Sequence, residues 1–243
     1  MRQEVYERGT IGGVTGMQIK RMWMILVVLV MALTFTACGS TQPEETNETA
    51  AEETAADVPA DEESSDDTLI VYFSAANSKD ADAVTSATPM VGEESSVGWI
   101  ADVISEKTGA EIVKLTPQNN YPSDYDAVAD QAKQETDSDA RPAFAPLDVN
   151  PEEYKNVFIG YPIWWYEMPM IMDTFFDTYD FAGVTIIPFN THAGSQDGGT
   201  YSDISELEPN ATVLDGLAIS GEDAGTDSAK TSVEEWLAGL NLD

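Results

Sequence analysis

The sequence predicts an α/β fold: a doubly wound parallel sheet of five strands with helices on both faces. Strand and helix patterns alternate from Thr68 onward, which is typical of parallel strands joined by helical crossovers. The first strand, residues 68–74, is an almost continuous apolar run, as expected of a strand covered on both faces. The second, residues 110–115, alternates polar and apolar residues like an edge strand. Right-handed crossovers and one edge strand after the first favour the strand order 2-1-3-4-5.

Residues 1–37 have the features of an export signal. Lys20 and Arg21 precede an apolar run from Met22 to Leu33, and small residues follow it. A basic region, a short apolar region and small residues before a cleavage site are the parts of such a signal. The apolar run is shorter than the ~20 residues of a transmembrane helix. Residues before Met17 fit no signal pattern, and Met17 would be the more natural start.

The segment resembles a bacterial lipoprotein signal, with Phe35-Thr36-Ala37-Cys38 as its lipobox. The resemblance implies that Cys38, the only cysteine, becomes a lipid-bearing N-terminus. We therefore expect a lipid-anchored, extracytoplasmic protein. The alternative is an unprocessed, membrane-associated segment.

Residues 38–67 are predicted to form a disordered acidic tether after the lipidated cysteine. From Gly39 to Asp67 there are 11 Asp or Glu and no Lys or Arg, with Val58 the one aliphatic residue larger than Ala. Such a segment buries too little apolar surface to offset the entropy of ordering. The whole chain carries a net charge of −33, which repels nucleic acid and anionic lipid headgroups. A macromolecular partner should therefore be basic, although solubility alone also explains the charge.

The folded part is predicted to be residues 68–243. Gly109 ends the first helix, whose apolar residues Trp99, Ile100, Val103 and Ile104 have helical spacing. The predicted strands are 68–74, 110–115, 156–160, 183–190 and 212–219, and the predicted helices are 96–107, 124–136, 168–179, 202–207 and 231–240. In such a sheet, ligands bind outside the carboxyl ends of the strands. The ligand loops should then be Ser74–Ser96, Tyr161–Pro169 and Thr191–Gly199.

The second of these loops contains three consecutive aromatic residues, Trp164, Trp165 and Tyr166. Pro162 and Pro169 flank them, and each proline fixes its own φ and restricts the residue before it. Rings on a stiff loop at this edge suit a flat, conjugated ligand. The alternative is that a Trp packs beneath the next helix, and we expect this of at least one of the pair.

The three loops resemble those of the flavodoxin-like family. The matching runs are Tyr72-Phe73-Ser74, Gly160-Tyr161-Pro162-Ile163-Trp164-Trp165 and Thr191-His192-Ala193-Gly194-Ser195, and the run Tyr121–Tyr125 also follows the family's style. The resemblance covers residues 68–243 and implies a flavodoxin-like fold. It also implies flavin mononucleotide (FMN) as the ligand and electron or hydride transfer through the flavin ring.

His192 is the only histidine, so Ser-His-Asp hydrolase and His-rich metal sites lack the residues that they need. It could hydrogen-bond the pyrimidine edge of a flavin, position a hydride donor, or simply cap a turn. We predict no catalytic acid or base, because a flavin supplies its own reactivity.

The first loop departs from the family pattern. A flavodoxin binds phosphate with a compact Ser/Thr-x-Thr-Gly-x-Thr turn that leads directly into the first helix. Here Ser74 is followed by Asn77 and Ser78, and 17 further residues precede Ser96. Ser74, Asn77 and Ser78 could still donate to a phosphate, as could Ser95 and Ser96 at the helix start. One of the last two is equally expected as an N-cap.

The inserted residues Asp82–Thr88 resemble the acceptor motif for covalent flavin attachment, Asp-x-x-Ser/Thr-Gly-Ala-Ser/Thr, with Ser86 in the place of Gly. In that motif the last hydroxyl forms a phosphoester with FMN. Our hypothesis is that Thr88 carries FMN through its phosphate. The alternative is a surface loop rich in Thr, Ser and Ala that matches by chance.

Three functions are compatible with these features. The first is an FMN-binding electron carrier that exchanges electrons with a membrane-associated redox partner bearing a basic docking surface. The second is a flavin-dependent NAD(P)H or quinone reductase. The third is a flavin-free module that binds another planar ligand or a protein. The cofactor-binding residues predicted for the first two are Ser74, Asn77, Ser78, Thr88, Ser95, Ser96, Pro162, Trp164, Trp165, Tyr166, Thr191, His192, Ala193, Gly194 and Ser195.

Overall fold

The structure, a computed structural model, describes residues 67–75, 90–240 and 242. The predicted signal, Cys38 and the acidic tether therefore lie outside the described residues. So do Asn77, Ser78 and Thr88 of the inserted loop. Within the described residues, no helix is both long enough and apolar enough to cross a membrane.

A parallel sheet forms the centre of the fold, with helices on both of its faces. The strands are β1 Thr68–Phe73, β2 Met90–Val91, β3 Glu94–Ser95, β4 Glu111–Leu115, β5 Asn156–Pro162, β6 Thr185–His192, β7 Thr212–Val213 and β8 Leu217–Ser220. The helices are α1 Ser96–Thr108, α2 Tyr125–Asp137, α3 Met170–Thr178, α4 Thr200–Leu207 and α5 Asp227–Gly239. The order β4-β1-β5-β6 continues to β7 and β8, which both pair with β6 in parallel. The predicted order 2-1-3-4-5 is confirmed.

The fifth strand of the prediction is divided into two in the structure. β7 pairs with the start of β6 through Ile186, and β8 pairs with its end from Phe189 onward. Pro188 lies between these positions and has no N–H to donate to a neighbour. Opposite it, a Cβ on Gly216 would lie only 2.6 Å from the Pro188 carbonyl oxygen, so the chain passes too closely for a side chain.

The two faces of the sheet carry separate apolar clusters. α1 and α5 cover one face, where Ile100 and Val233 pack with Ile70 of β1. α2, α3 and α4 cover the other face, where Phe175 and Ile204 are fully buried. The prediction of helices on both faces is therefore confirmed.

The boundaries of several elements differ from the predicted ones for local reasons. A short antiparallel pair, β2 and β3, precedes α1 and was not predicted. α5 begins four residues early because the Thr226 hydroxyl caps it, accepting from the Ala229 N–H at 3.1 Å. β6 extends to His192 because its polar end pairs with β8, Thr191 lying opposite Ile219.

Candidate functional site

The three predicted loops begin at one edge of the sheet. The ring of Phe73, at the end of β1, contacts the ring of Trp164 with centroids 5.5 Å apart. The Ile163 N–H, just after β5, donates to the Thr191 carbonyl of β6 at 2.8 Å. The carboxyl ends of β1, β5 and β6 therefore form a common edge, as expected of a ligand site in this class of fold.

Trp165 and Tyr166 form the tip of a tight two-residue turn. Trp164 and Glu167 pair on either side of it, with N–H···O distances of 3.0 and 2.9 Å. Both tip residues have a left-handed φ, +52° for Trp165 and +69° for Tyr166. Turns of this shape usually contain Asn-Gly, and a bulky residue in this region costs roughly 1–2 kcal/mol. A backbone strained in this way, with two rings turned outward, is typical of a ligand-binding loop.

The rings of the turn border a cleft of about 460 Å³ that also touches α2. Its lining residues are Tyr125, Ala129, Ala132, Ile163, Trp164, Trp165, Tyr166, Ala193, Gly194 and Ser195. None of them is charged, although the chain contains 44 Asp and Glu. The large hydrophobic side chains that are exposed among the described residues are Tyr125, Trp165 and Tyr166, and all three line this cleft. We call it the aromatic cleft; it suits a flat, uncharged ring.

The two tryptophans have different environments. Trp165 is 54% exposed, and its Nε1–H donates to the Ala129 carbonyl of α2 at 3.0 Å. Trp164 is only 4% exposed and packs edge-on against Phe73 and Tyr121. Its buried Nε1–H has no acceptor among the described residues. Trp164 therefore belongs largely to the core, and Trp165 forms the wall of the cleft.

The loop after β6 contacts the aromatic turn from the other side. Gly198 has a φ of +65°, and a Cβ on it would lie 2.5 Å from the Tyr166 carbonyl oxygen. Only glycine allows this close approach. The position of the Tyr166 ring thus depends on two loops rather than one.

His192 lies at the buried end of β6 and lines a different cleft. Its Nδ1 accepts from the Gly194 N–H at 3.0 Å. Burial lowers the pKa of the imidazole, an effect that Asp223 and Asp197 oppose. Its cleft, about 300 Å³ in volume, lies beside α5, whereas the aromatic cleft lies beside α2. Of the predicted Thr191–Ser195 set, Ala193, Gly194 and Ser195 line the aromatic cleft.

The remaining predicted residues that lie within the described part of the chain do not line the aromatic cleft. Ser95 is the N-cap of α1, and its hydroxyl accepts from the Gly98 N–H at 3.0 Å. Ser74 and Ser96 are fully buried at the end of β1 and the start of α1. Pro162 ends β5 and Thr191 is paired within β6. The structure therefore groups six of the predicted residues around one cleft: Trp164, Trp165, Tyr166, Ala193, Gly194 and Ser195.

Sequence reasoning did not assign Tyr125 to the site. This residue begins α2 directly after its N-cap, Asp124, and its ring is 49% exposed. The sequence does contain one indication of its role, since Tyr125 is the only aromatic residue of a largely polar helix. Nothing in the sequence, however, showed that this helix end borders the aromatic turn.

A second group of side chains next to the aromatic turn is strongly acidic. It lines a groove of about 510 Å³ between α2, α3 and α4. Its carboxylates are Asp139, Glu167, Asp173, Asp203 and Glu206. Burial raises the pKa of Asp173 to about 6, even though Arg141 opposes the shift. No group of three or more His, Cys, Asp or Glu within the described part of the chain could hold a metal ion.

Comparison with known proteins gives a consistent result. The sequence profile of the flavodoxin family matches residues 91–239, more than half of the chain. A candidate flavoprotein from Bacteroides uniformis is 25% identical, with a TM-score of 0.55, and the match covers 70% of this chain and 97% of that one. A candidate flavoprotein from Bacteroides eggerthii is also 25% identical, with a TM-score of 0.55, and the match covers 70% of this chain and 95% of that one. A flavoprotein of Lactobacillus acidophilus, solved in complex with FMN, is 18% identical, with a TM-score of 0.49, and the match covers 64% of this chain and 94% of that one. No curated protein matches the chain.

Proposed function

This chain belongs to the flavodoxin family, and from that premise we propose that it is an FMN-binding electron carrier, anchored by lipid outside the cytoplasmic membrane. The observation that carries the proposal is the aromatic cleft. In a chain with a net charge of −33, ten residues with no charged side chain surround this space, and they include the exposed aromatic rings. Flavin would supply the redox chemistry when bound there.

The residues of the cleft fit a flavin ring. The side chains of Trp165 and Tyr166, from the aromatic turn, line the cleft together with Tyr125 from α2. Aromatic rings prefer offset stacking or edge contacts, and both are open to exposed side chains. Ala193, Gly194 and Ser195, from the loop after β6, also line the cleft. Because this wall offers no positive charge and the surrounding domain is acidic, added negative charge on a bound ring is disfavoured. We expect a low reduction potential.

The start of α1 is poorly suited to a free phosphate. The Gly98 N–H is already bonded to the Ser95 hydroxyl. The Glu94 carboxylate lies beside the first turn of α1, its Oε2 2.5 Å from where a Cβ on Gly98 would be. It already complements the positive end of the helix and would repel a second anion.

We therefore keep the hypothesis that Thr88 holds FMN covalently. The position lies two residues before Met90, and two residues of chain reach at most about 7 Å. In this step the Thr88 hydroxyl oxygen would bond to the FMN phosphorus. A phosphoanhydride bond of a flavin dinucleotide donor would break, and a nucleoside monophosphate and a proton would leave.

Intact-mass measurement of protein made together with an FMN transferase tests the attachment. We expect an FMN adduct in the wild type and in Ser86→Gly, which removes a neighbouring hydroxyl and restores the glycine of the motif, and none in Thr88→Ala. An unmodified wild-type protein would remove the covalent hypothesis but not flavin binding.

Flavin binding itself is tested by the absorption spectrum of the purified full chain. FMN is offered first, and the spectrum is recorded before and after denaturation and filtration. We expect a flavin spectrum that stays with the folded protein. A colourless protein that takes up no FMN would contradict the proposal and favour a flavin-free binding module.

The partner that we propose is a membrane-associated redox protein with a basic docking surface. The acidic groove supports this, because Glu167 belongs both to the groove and to the aromatic turn. A basic partner seated on the groove would thus approach the aromatic cleft. For the anchor, Cys38→Ser should move the protein from the membrane fraction to the soluble fraction. Retention of this variant on the membrane would contradict lipid attachment at Cys38.

A flavin-dependent NAD(P)H or quinone reductase is the second candidate. The cleft around His192 favours it, since a reductase needs room for a second molecule and this cleft shares a loop with the aromatic one. Steady turnover of NAD(P)H or quinone by the purified, flavin-loaded protein would support the reductase over the carrier.

A further inference from the structure

A second cleft, of about 300 Å³, lies at the carboxyl ends of β6 and β8. The loop after β6 separates it from the aromatic cleft. Ala193, Gly194 and Ser195 line the aromatic side, whereas His192 and Gln196 line this side. We call it the His192 cleft. Its remaining lining residues are Ala218, Ile219, Ser220, Asp223, Ser228, Ala229 and Ser232.

His192 presents a fixed hydrogen-bond donor to this cleft. The ring is only 4% exposed, and its Nδ1 is occupied as the acceptor of the Gly194 N–H. In a neutral imidazole the other nitrogen, Nε2, then carries the hydrogen. Burial favours this neutral form. Within the residues that the structure describes, Nε2–H has no acceptor, and it is not one of the fully buried unpaired atoms, so this donor is open to a molecule in the cleft.

The cleft also presents an acceptor on a rigid support. Asp223 lies in the turn between β8 and α5, where its N–H donates to the Ser220 carbonyl at 2.9 Å. Its own carbonyl accepts from the Thr226 N–H and hydroxyl. These bonds fix the backbone, and the carboxylate is close enough to His192 to affect the pKa of that ring. Gln196 also lines the cleft and holds a left-handed φ of +56°, and its carbonyl accepts from Asn190 Nδ2.

We propose that the His192 cleft binds the edge of an amide or imide, with a carbonyl oxygen on His192 Nε2–H and an N–H on the Asp223 carboxylate. A donor beside an acceptor matches this chemistry, because such an edge carries C=O next to N–H. An anion is disfavoured by Asp223 and by the nearby Asp197. A volume of about 300 Å³ lies at the lower limit for ligand pockets, so one ring or one edge fits rather than a whole cofactor.

Two sources could supply this edge, and the inference rests on the proposed flavin function. One is the imide of the flavin ring itself. The other is the carboxamide of a reduced nicotinamide nucleotide that delivers electrons to the flavin. Both place the same chemical group in the cleft, and the experiment separates them.

The test uses the fact that His192 is the only histidine of the chain. Its ring nitrogens and protons therefore give a single set of NMR signals that needs no assignment. Riboflavin, N3-methylriboflavin, nicotinamide and methyl nicotinate are titrated into the full-length protein, the two pyridines with and without bound flavin. Binding at the imide predicts a shifted Nε2 signal with riboflavin and a weaker effect with its N3-methyl form. Binding at the carboxamide predicts a shift with nicotinamide and none with the ester.

The affinities of three variants for the same probes extend the test. His192→Asn keeps an acceptor for the Gly194 N–H but removes the Nε2 donor, and Asp223→Asn removes the carboxylate at constant size. Each should lower the affinity for the probe that shifts the His192 signals about tenfold. His192→Gln restores a donor and should recover part of the affinity. The control is Asp227→Asn, which removes an equal charge four residues from Asp223 but outside the cleft, and it should leave affinity unchanged.

Failure of the inference differs from failure of the proposed function. If riboflavin quenches tryptophan fluorescence but no probe moves the His192 signals, or if His192→Asn binds every probe like the wild type, the inference is wrong and the function stands. If riboflavin does neither and protein made with the FMN transferase carries no FMN, the proposed function fails, and the nicotinamide titration of the free protein still decides the inference.

Discussion

Two identical residues next to each other in the chain have different roles. Trp164 is nearly buried among Phe73 and Tyr121, whereas Trp165 is half exposed at a strained turn. The difference follows from the turn, which directs Trp164 inward and turns the next two rings outward. Stability should therefore depend on the first tryptophan, and ligand binding on the second.

Trp165→Ala should weaken riboflavin binding about tenfold and change stability little. A stacked ring contributes roughly 1 kcal/mol beyond the area that it buries, and an exposed ring costs little to remove. Trp164→Ala should instead lower the free energy of unfolding by about 3–5 kcal/mol, because it leaves a cavity in the core. Fluorescence titration with riboflavin and urea denaturation measure the two effects. Equal loss of stability in both variants would contradict the division of roles.

Asp173 provides a pH-dependent test in the acidic groove. Burial raises its pKa to about 6 from the ordinary 3.8, with Asp177 and Asp139 also raising it and Arg141 opposing. The folded state therefore binds this proton more tightly than the unfolded state does. The stability that the protonated form contributes is complete below about pH 4 and is lost as the pH rises through about 6.

Asp173→Asn should consequently be more stable than the wild type at about pH 7.5, and the two should be equal near pH 4. We expect a gain of about 1 kcal/mol, since solvent screens a partly exposed carboxylate. Urea denaturation at both pH values measures it. Asp177→Asn is the control, because its carboxylate pairs with Arg141 Nε at 2.7 Å, so this variant should gain nothing. A gain for Asp173→Asn that is the same at both pH values would refute the assignment.

At the scale of the elements, the aromatic turn and the loop after β6 act together through Gly198. Gly198→Ala and Gly199→Ala both place a side chain at a positive φ, +65° and +94°, which should cost each variant about 1 kcal/mol of stability, and the close contact at Gly198 adds to the cost there. Only at Gly198 would the new Cβ press on the Tyr166 carbonyl. We therefore expect riboflavin affinity to fall about tenfold in Gly198→Ala and to stay close to that of the wild type in Gly199→Ala. Equal affinities in a titration of both variants would show that the two loops are independent.

The elements also show which parts of the fold the sequence could predict. Apolar runs and helical spacing report burial directly, so the alternation of elements and the strand order were predicted correctly. The division between β7 and β8 was not, because it depends on Pro188 lying opposite Gly216 in the neighbouring strand. The short β2–β3 pair was missed because two-residue strands show no periodicity. Likewise, the apolar wall of the cleft comes partly from α2, and only the tertiary structure brings Tyr125 to the aromatic turn.

Across the whole molecule, charge is abundant but unevenly placed. The chain has 44 acidic and 11 basic residues, and several of the basic side chains in the folded part are already in ion pairs. The aromatic cleft is uncharged, while the groove beside it contains five carboxylates. We therefore expect a basic protein to be attracted over long range to the side of the molecule where, in the proposed function, electrons would leave or enter.

The ionic strength of the solution should therefore change folding and electron transfer in opposite directions. The Debye length shrinks from about 30 Å at 0.01 M salt to about 8 Å at 0.15 M. Salt then screens the mutual repulsion of the carboxylates, so the urea midpoint should rise. The same screening should slow the bimolecular electron transfer to a basic haem protein, roughly tenfold or more, when it is followed by stopped flow with the flavin-loaded protein. An acidic acceptor is the control and should react faster with added salt. Rates that do not depend on salt with either acceptor would show that the acidic surface does not steer a partner and serves solubility alone.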